Sequence, residues 1–273
     1  MGFTELIPGV SGGTIALILG IYKRLIEAIS NLNLTFLKDS FSGSFKKSWN
    51  QSDLTFLCLL ISGMVVSVLT LSSVIIFFFH NFPFFLKSFF SGLLLTSLFY
   101  KPLKPEAMDR KFLLGFILAC LVITFAWNLQ PTEFSEASLI YIFFGGLVAV
   151  CAFILPGISG SFILLLLGIY ELVILSIKEL NLIVISSLLS GCFIGLLLFI
   201  RLVKKAYQNY PKHLLGFFYS LVLLSIPLLW KTGEWKISLP IYLTGYVEVF
   251  LGLIIGVLFI FVLQKLSSTF QDI

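Results

Sequence analysis

The stretch ELIPGVSGGTIALILGIY occupies residues 5–22, and a close copy, FILPGISGSFILLLLGIY, occupies residues 153–170. Shifted by 148 residues, positions 8–22 and 156–170 are identical at ten of fifteen sites. Each copy places Pro-Gly-x-Ser-Gly inside an apolar run, although proline and glycine disfavour the interior of a helix. The repeated motif therefore predicts two helix breaks at equivalent places in a duplicated chain.

Composition places the chain in a membrane. Of its 273 residues, 59% are hydrophobic and only 11% are charged, whereas a soluble domain carries about 25% charged residues. The apolar runs do not alternate with polar residues and have the length of a bilayer-spanning helix, roughly 17 to 25 residues. We therefore predict an all-α polytopic integral membrane protein with apolar segments near 3–29 (broken), 54–79, 84–99, 111–129, 137–155, 160–177, 182–203, 213–230 and 246–264.

A second internal match predicts that the two halves have inverted topology. SGMVVSVL at 62–69 aligns with SGCFIGLL at 190–197, and the turn HNFP at 80–83 aligns with QNYP at 208–211. Positive residues mark cytoplasmic loops, which places the basic loops 100–111 and 200–213 inside and the acidic loop 129–137 outside. Counting the segments between them puts the two equivalent turns on opposite faces. The predicted halves, residues 1–130 and 131–273, form one membrane domain.

The physics of the motif points to an anion. Ser11 and Ser159 are good N-cap residues, and each precedes an apolar stretch that we expect to form a long helix starting inside the membrane. Non-helical backbone at that depth must be buried in protein or line a cavity, and exposed helix N-termini suit phosphate. Discontinuous helices that meet near the midplane are typical of secondary transporters. The alternative is a kink or close helix packing through small residues. The predicted phosphate-binding residues are Ser11, Gly12, Gly13, Thr14, Ser159, Gly160, Ser161 and Arg201, with the breaks at Pro8 and Pro156 as gating positions.

Charged and aromatic residues near the motifs allow two interpretations. Arg201 either pairs with a phosphate in the cavity or extends to the lipid headgroups. Glu5 either carries a coupling proton or pairs with Arg201, or it is a solvated N-terminal charge. Tyr22 and Tyr170 are expected to belong to an interfacial aromatic belt, and Glu248 is also expected at the interface.

Other functional classes find no support in the sequence. The four cysteines and two histidines show no metal-ligand spacing, so no metal and no cofactor is expected. No Gly-Lys-Ser/Thr follows the motif, which argues against a nucleotide site. The net charge of +5 reports basic cytoplasmic loops rather than nucleic acid. The apolar segments contain no paired carboxylates or nucleophile–base arrangement, so we predict that the chain is not an enzyme.

The two motif segments, with Tyr210-Pro211 and the following GFFYSLVLLSIP, resemble the signature segments of the bacterial polyprenyl-phosphate transporter family over nearly the whole chain. The resemblance implies a multi-pass flippase of the bacterial plasma membrane. Such a protein returns undecaprenyl phosphate from the outer to the inner leaflet, which recycles the lipid carrier for peptidoglycan and teichoic acid synthesis in the cell wall. Glu5 stands where the family usually has aspartate. The chain begins close to the first motif, where longer members carry a preceding apolar stretch.

These observations predict a transporter whose partners are polyprenyl phosphate, membrane lipids and a coupling ion, proton or sodium. Three rivals stay open at this point. The first is a small-anion transporter or channel that uses the same helix-end site. The second is a membrane lipid phosphatase, and the third is a scaffold subunit without a substrate.

Overall fold

The computed structural model describes residues 1–5, 11–32, 36, 38, 45–128, 137–230 and 243–271, and every regular element in these ranges is an α-helix. Four helices are long and apolar enough to cross a membrane, or five if one bent pair is taken as a single span. The prediction of an all-α polytopic membrane protein is confirmed. In chain order the described helices are α1 (Gly2–Glu5), α2 (Gly12–Ile18), α3 (Tyr22–Ser30), α4 (Phe45–Gln51), α5 (Leu54–Asn81), α6 (Pro83–Ser97), α7 (Arg110–Asn128), α8 (Leu139–Ile154), α9 (Gly160–Leu166), α10 (Tyr170–Lys178), α11 (Leu182–Asn209), α12 (Pro211–Leu229) and α13 (Leu243–Gln271).

The two copies of the sequence repeat form helices that begin at equivalent positions, and three of these helix pairs are equal in length. Helices α2 and α9 both have seven residues and begin 148 positions apart, as do the nine-residue helices α3 and α10. Helices α5 and α11 both have 28 residues and begin 128 positions apart. Helices α6 and α12 both begin with proline at the first helical position, where its missing N–H costs nothing. Equivalent segments therefore fold into equivalent helices.

Two parallel helix pairs join the halves. Helix α6 packs along α13, with Phe85 beside Glu248 near their beginnings and Tyr100, just beyond α6, beside Phe261 further along. Helix α12 packs along α7 in the same direction. Because α6 and α12 are repeat equivalents, each pair combines one helix from each half. Residues 1–130 and 131–273 therefore pack against each other through both pairs.

The helix that follows each motif is shorter than the sequence predicts. Helix α2 ends at Ile18 and α9 at Leu166, and Gly20 and Gly168 then adopt φ of 73° and 69°. The N–H groups after these turns bond back to carbonyls five residues earlier, which is the Schellman pattern that glycine permits. Helices α9 and α10 are consequently bent by 111° relative to each other. The expectation of one long helix after each motif is wrong.

The main core joins both halves around α3. It includes Tyr22 and Ile26 of α3, Phe90 of α6 and Phe218 of α12, each no more than 2% exposed. Helix α3 packs against both α5 and α11. Helix α2, which begins at the end of the first motif, contributes Ile15, Ala16, Leu17 and Ile18 to the same core.

Candidate functional site

The break in the second half forms as predicted. Helix α8 ends at Ile154, and Leu155 is extended, with φ of −70° and ψ of 134°, as expected for a residue before proline. Buried Pro156 follows, and Gly157 has φ of +86°, a conformation that glycine adopts without strain. Ser159 is the extended N-cap residue of α9. Five non-helical residues, 155–159, therefore separate the end of α8 from the beginning of α9.

The described part of the first motif begins at its serine. Ser11 is the N-cap of α2, and its Oγ accepts a hydrogen bond from the Gly13 N–H at 3.1 Å. Gly12, Gly13 and Thr14 form the first turn of α2 and are buried. Pro8 lies outside the described residues. Glu5 is the last residue of α1, and its side chain is likewise outside what the structure describes.

The two motifs contact each other directly. The Ser11 hydroxyl donates to the Leu155 carbonyl at 3.0 Å, and the Gly157 N–H donates to Thr14 Oγ1 at 2.8 Å. A Cβ placed on Gly13 would lie 2.7 Å from the Ile154 carbonyl oxygen, so only glycine permits this approach of the backbones. The motifs are thus joined by side chains of the first half that bind backbone groups of the second. We call this contact region the junction.

The second motif has a different hydroxyl arrangement, two and four residues after Gly157. Ser159 Oγ and Ser161 Oγ lie 2.7 Å apart, and Ser159 does not cap a backbone N–H of α9. Ser159 is 1% exposed, whereas Ser161 is half-buried. Two hydroxyls that bond each other can both turn to an added acceptor. Ser11 and Thr14 are instead engaged with backbone and fully buried, so in this structure the junction is closed.

Tyr22 belongs to the junction, which the sequence did not indicate. Its hydroxyl donates to the Ile154 carbonyl at 3.2 Å, and its ring meets Phe218 edge-on with ring centroids 5.3 Å apart. The side chain is 1% exposed, whereas the equivalent Tyr170 is 36% exposed. The assignment of Tyr22 to an interfacial belt is wrong, because α3 is enclosed by the core. The repeated Gly-Ile-Tyr was visible in the sequence, but its surroundings were not.

Arg201 is not among the residues brought to the junction. It is exposed on α11, between the buried Ile200 and Val203. Lys204, one turn later, reaches the first half instead: its Nζ donates to Ser30 Oγ at the end of α3 at 2.9 Å. The outward position of Arg201 agrees with the headgroup alternative, and a contact with phosphate stays a prediction.

Ion pairs hold the ends of the helices together. Arg24 on α3 forms a bidentate pair with Asp53, immediately before α5, and this hydrogen bonding holds the pKa of the Asp53 carboxyl below its usual range. Asp109 bonds both Lys212 and the Phe112 N–H, which likewise lowers the pKa of the Asp109 carboxyl. Glu248, expected at the interface, accepts a hydrogen bond from the Phe85 N–H in the first turn of α6 at 3.3 Å. Each carboxylate therefore lies at the positive end of a helix or beside a cation.

A surface pocket of about 370 Å³ lies apart from the junction, between the α6–α7 connection and the start of α12. The charged part of its lining consists of Lys101, Lys104, Glu106 and Lys212.

Among the residues that the structure describes, no cluster of three or more His, Cys, Asp or Glu could hold a metal ion. At the junction itself, the described polar groups are hydroxyls and backbone N–H and carbonyl groups, which form hydrogen bonds.

Comparisons with known proteins agree with a transporter. Residues 1–244 match the family model described as undecaprenyl phosphate translocase-like. The chain is 35% identical over 241 residues to a polyprenyl-phosphate transporter of Vibrio cholerae, an alignment that covers 87% of this chain and 78% of the relative. It is 31% identical to a polyprenyl-phosphate transporter of Staphylococcus aureus, with 90% of each chain covered. No solved structure matches. These names describe transporters and not enzymes.

Proposed function

The chain belongs to the undecaprenyl phosphate translocase-like family, and on that premise we propose that it transports a polyprenyl phosphate across a bacterial plasma membrane. The substrate is undecaprenyl phosphate, moved as by a flippase from the outer to the inner leaflet. This direction returns the lipid carrier to the side where peptidoglycan precursors are attached to it. The observation that carries the proposal is the similarity to two polyprenyl-phosphate transporters over most of the chain.

The phosphate headgroup binds at the junction. The hydroxyls of Ser11 and Thr14 contact the backbone of the second motif, whose own hydroxyls follow at Ser159 and Ser161. A phosphate monoester accepts several hydrogen bonds at once, so hydroxyls from both motifs could share one headgroup. Helices α2 and α9 have only seven residues each, so the local N–H groups of their first turns contribute more than a long helix dipole would. The proposed headgroup residues are Ser11, Gly12, Gly13, Thr14, Ser159, Gly160 and Ser161, with Arg201 as a further partner for the phosphate at the membrane surface.

Transport requires the junction to open. Ser11, Thr14 and Ser159 are at most 1% exposed, so a headgroup reaches them only when the halves move apart. Ser161 is half-buried and is the natural first contact. The prenyl chain stays among the lipids throughout, beside apolar residues exposed on α9 and α10 such as Leu165 and Ile174.

Inverted topology supplies two equivalent ways of opening. The parallel directions of α6 with α13 and of α7 with α12 agree with the topology derived from loop charges, because each pair then enters from the same face. Rocking of the halves 1–130 and 131–273 would expose the junction to one leaflet and then to the other. Pro156, at the break after α8, and Pro8, at the break that the sequence predicts in the first half, are the proposed positions at which the backbone bends.

Uphill transport needs an ion gradient. Glu5, at the end of α1 and directly before the first break, is the proposed proton carrier, and sodium is the alternative coupling ion.

Leaflet-resolved transport tests the function. Purified protein is reconstituted into vesicles that contain undecaprenyl phosphate, and a membrane-impermeant phosphatase reports the fraction of lipid in the outer leaflet. We expect the protected lipid to become accessible faster than in protein-free vesicles, with a rate that changes under an imposed pH gradient. Equal rates with and without protein would contradict the proposal. Uptake of inorganic phosphate without lipid movement would favour the small-anion transporter.

A matched pair of variants tests the site. Ser159→Ala/Ser161→Ala removes the free hydroxyl pair, and we expect transport to fall at least tenfold because hydrogen bonds to a charged group are each worth about 1.5–3 kcal/mol. Ser186→Ala is the control, since Ser186 is exposed on α11 and bonds only locally to the Ile183 carbonyl. Equal rates in the two variants would place the headgroup elsewhere.

A further inference from the structure

The break after α8 frees backbone groups that its own helix cannot satisfy. Pro156 has no N–H, and the Gly157 N–H points away from α8 to Thr14 Oγ1 at 2.8 Å. The Ile154 and Leu155 carbonyls, which an intact helix would pair with later N–H groups, are left at the helix end. Buried groups of this kind need partners, because each unpaired one costs about 1–3 kcal/mol if left alone.

Three side chains of the first half satisfy these groups. The Ile154 carbonyl accepts from the Tyr22 hydroxyl at 3.2 Å, and the Leu155 carbonyl accepts from Ser11 Oγ at 3.0 Å. Thr14 Oγ1 accepts a hydrogen bond from the Gly157 N–H. The geometry of the second break is therefore set by side chains of the first half.

In the second half, the residues equivalent to these three side chains differ in identity, exposure or hydrogen bonding. The position equivalent to Thr14 is Phe162, which has no hydroxyl, and the tyrosine equivalent to Tyr22 is Tyr170, which is 36% exposed against 1%. The serine pair Ser159 and Ser161 instead bond each other. In this closed arrangement, side chains of the first half bond the backbone of the second break. Within the described part of the chain, the hydroxyls of Ser159 and Ser161 bond only each other and can turn to a ligand.

We infer that Tyr22 is a positioning residue for the headgroup: through the Ile154 carbonyl it fixes the end of α8, and so the placement of the Ser159–Ser161 hydroxyl pair. This inference rests on the proposed function and deepens it. Only four residues separate Ile154 from the N-cap Ser159, and Gly157 between them is confined on its other side by α12. A Cβ on Gly157 would lie 2.6 Å from the Leu221 backbone. A displacement at Ile154 is therefore passed on to the serine pair.

The test separates headgroup recognition from general packing. Binding of farnesyl phosphate and of farnesol, which lacks the phosphate, is measured by titration in detergent. The Kd for farnesol divided by the Kd for farnesyl phosphate reports the contribution of the phosphate. We expect Tyr22→Phe to reduce this ratio about tenfold while the Kd for farnesol stays unchanged. Tyr170→Phe is the matched control, since it removes the same hydroxyl from the equivalent residue, and we expect its ratio to equal that of the wild type.

The outcomes distinguish the inference from its premise. A Tyr22→Phe protein with the wild-type ratio overturns the inference, and so does an equal loss in Tyr170→Phe. A parallel loss of farnesol and farnesyl phosphate binding shows a merely structural role and also overturns it. If the wild type binds both compounds equally, the proposed headgroup site itself is wrong. Should Tyr22→Phe fail to fold, Phe218→Leu provides the second variant, because it removes the ring that holds the Tyr22 ring edge-on and is not among the proposed headgroup residues; the same reduction of the ratio is expected, and an unchanged ratio overturns the inference.

Discussion

The approach of the two motifs depends on the absence of a side chain at Gly13, and Gly13→Ala tests this directly. The added Cβ would lie 2.7 Å from the Ile154 carbonyl oxygen, 3.3 Å from the Leu155 carbonyl oxygen and 3.2 Å from Ser11 Oγ. Two of these atoms are backbone, so they cannot rotate away as the end of a flexible side chain would. The junction must therefore widen by several tenths of an ångström.

The expected magnitude follows from opposing contributions. Overpacking of a well-packed site costs about 1–3 kcal/mol, and weakening the bond from Ser11 to Leu155 costs about 1 kcal/mol more. Alanine gains up to about 1 kcal/mol over glycine within a helix, which partly offsets the loss. We expect Gly13→Ala to lower the free energy of unfolding by about 1–3 kcal/mol and to reduce transport.

Gly63→Ala is the matched control for helix propensity. Gly63 lies inside α5, and a Cβ there would meet nothing within 4 Å. Only the propensity gain remains, so we expect this variant to be about 0.5–1 kcal/mol more stable than the wild type.

Unfolding in mixed micelles of increasing SDS content, followed by circular dichroism, gives the free energies, and the vesicle assay gives the transport rates. A Gly13→Ala protein as stable as Gly63→Ala would refute the reasoning, since the clash would then cost nothing. Equal destabilisation of both variants would show that the contact with Ile154 is not the cause.

Three further predictions concern topology, pH and the second break. Single cysteines at Asn81 and Asn209, in a background without the native cysteines, should react with a membrane-impermeant maleimide from opposite sides of oriented vesicles; labelling from one side would exclude inverted halves. The pKa of Asp53 is lowered by its hydrogen bonds with Arg24, so the pair stabilises the fold above the unfolded pKa of about 4 and is lost as pH falls further. Unfolding between pH 6 and pH 2.5 should therefore show a smaller acid-induced loss of stability in Asp53→Asn than in the wild type. Gly157→Ala should fail to accumulate as folded protein, as seen by size-exclusion chromatography, because φ of +86° and the Leu221 backbone both oppose a Cβ; a normal elution profile would contradict this.

Much of the fold could be predicted from the sequence because its signals are local. The apolar run at 54–79 became α5 (Leu54–Asn81), and the run at 137–155 became α8 (Leu139–Ile154). The break at Pro156 follows from a missing N–H within the proline itself. The turn at Gly20 could also have been predicted, since a glycine directly after an apolar run is a common helix end, but the length of the whole apolar stretch favoured one long helix.

The contact between the two motifs was predictable from the sequence, but the partners of their individual side chains were not. Ser11 and Ser159 follow identical Pro-Gly-x segments, yet Ser11 bonds the opposite half while Ser159 bonds its own neighbour Ser161. Arg201 and Lys204 lie on one basic stretch, and only Lys204 reaches α3. The partners of Ser11 and Lys204 lie more than 100 positions away in the chain, so no local sequence pattern identifies them.

By itself, the sequence determined that this protein lies in a membrane, that it is duplicated, and that α8 ends at the second Pro-Gly-x-Ser-Gly motif, because hydropathy, proline and glycine act within a few residues. Only the tertiary structure decided that Tyr22 is enclosed while Tyr170 is exposed, although both end the same Leu-Gly-Ile-Tyr segment. The physical reason is that burial depends on which helices pack around a residue, and α3 packs between α5 and α11 whereas α10 leaves one side open.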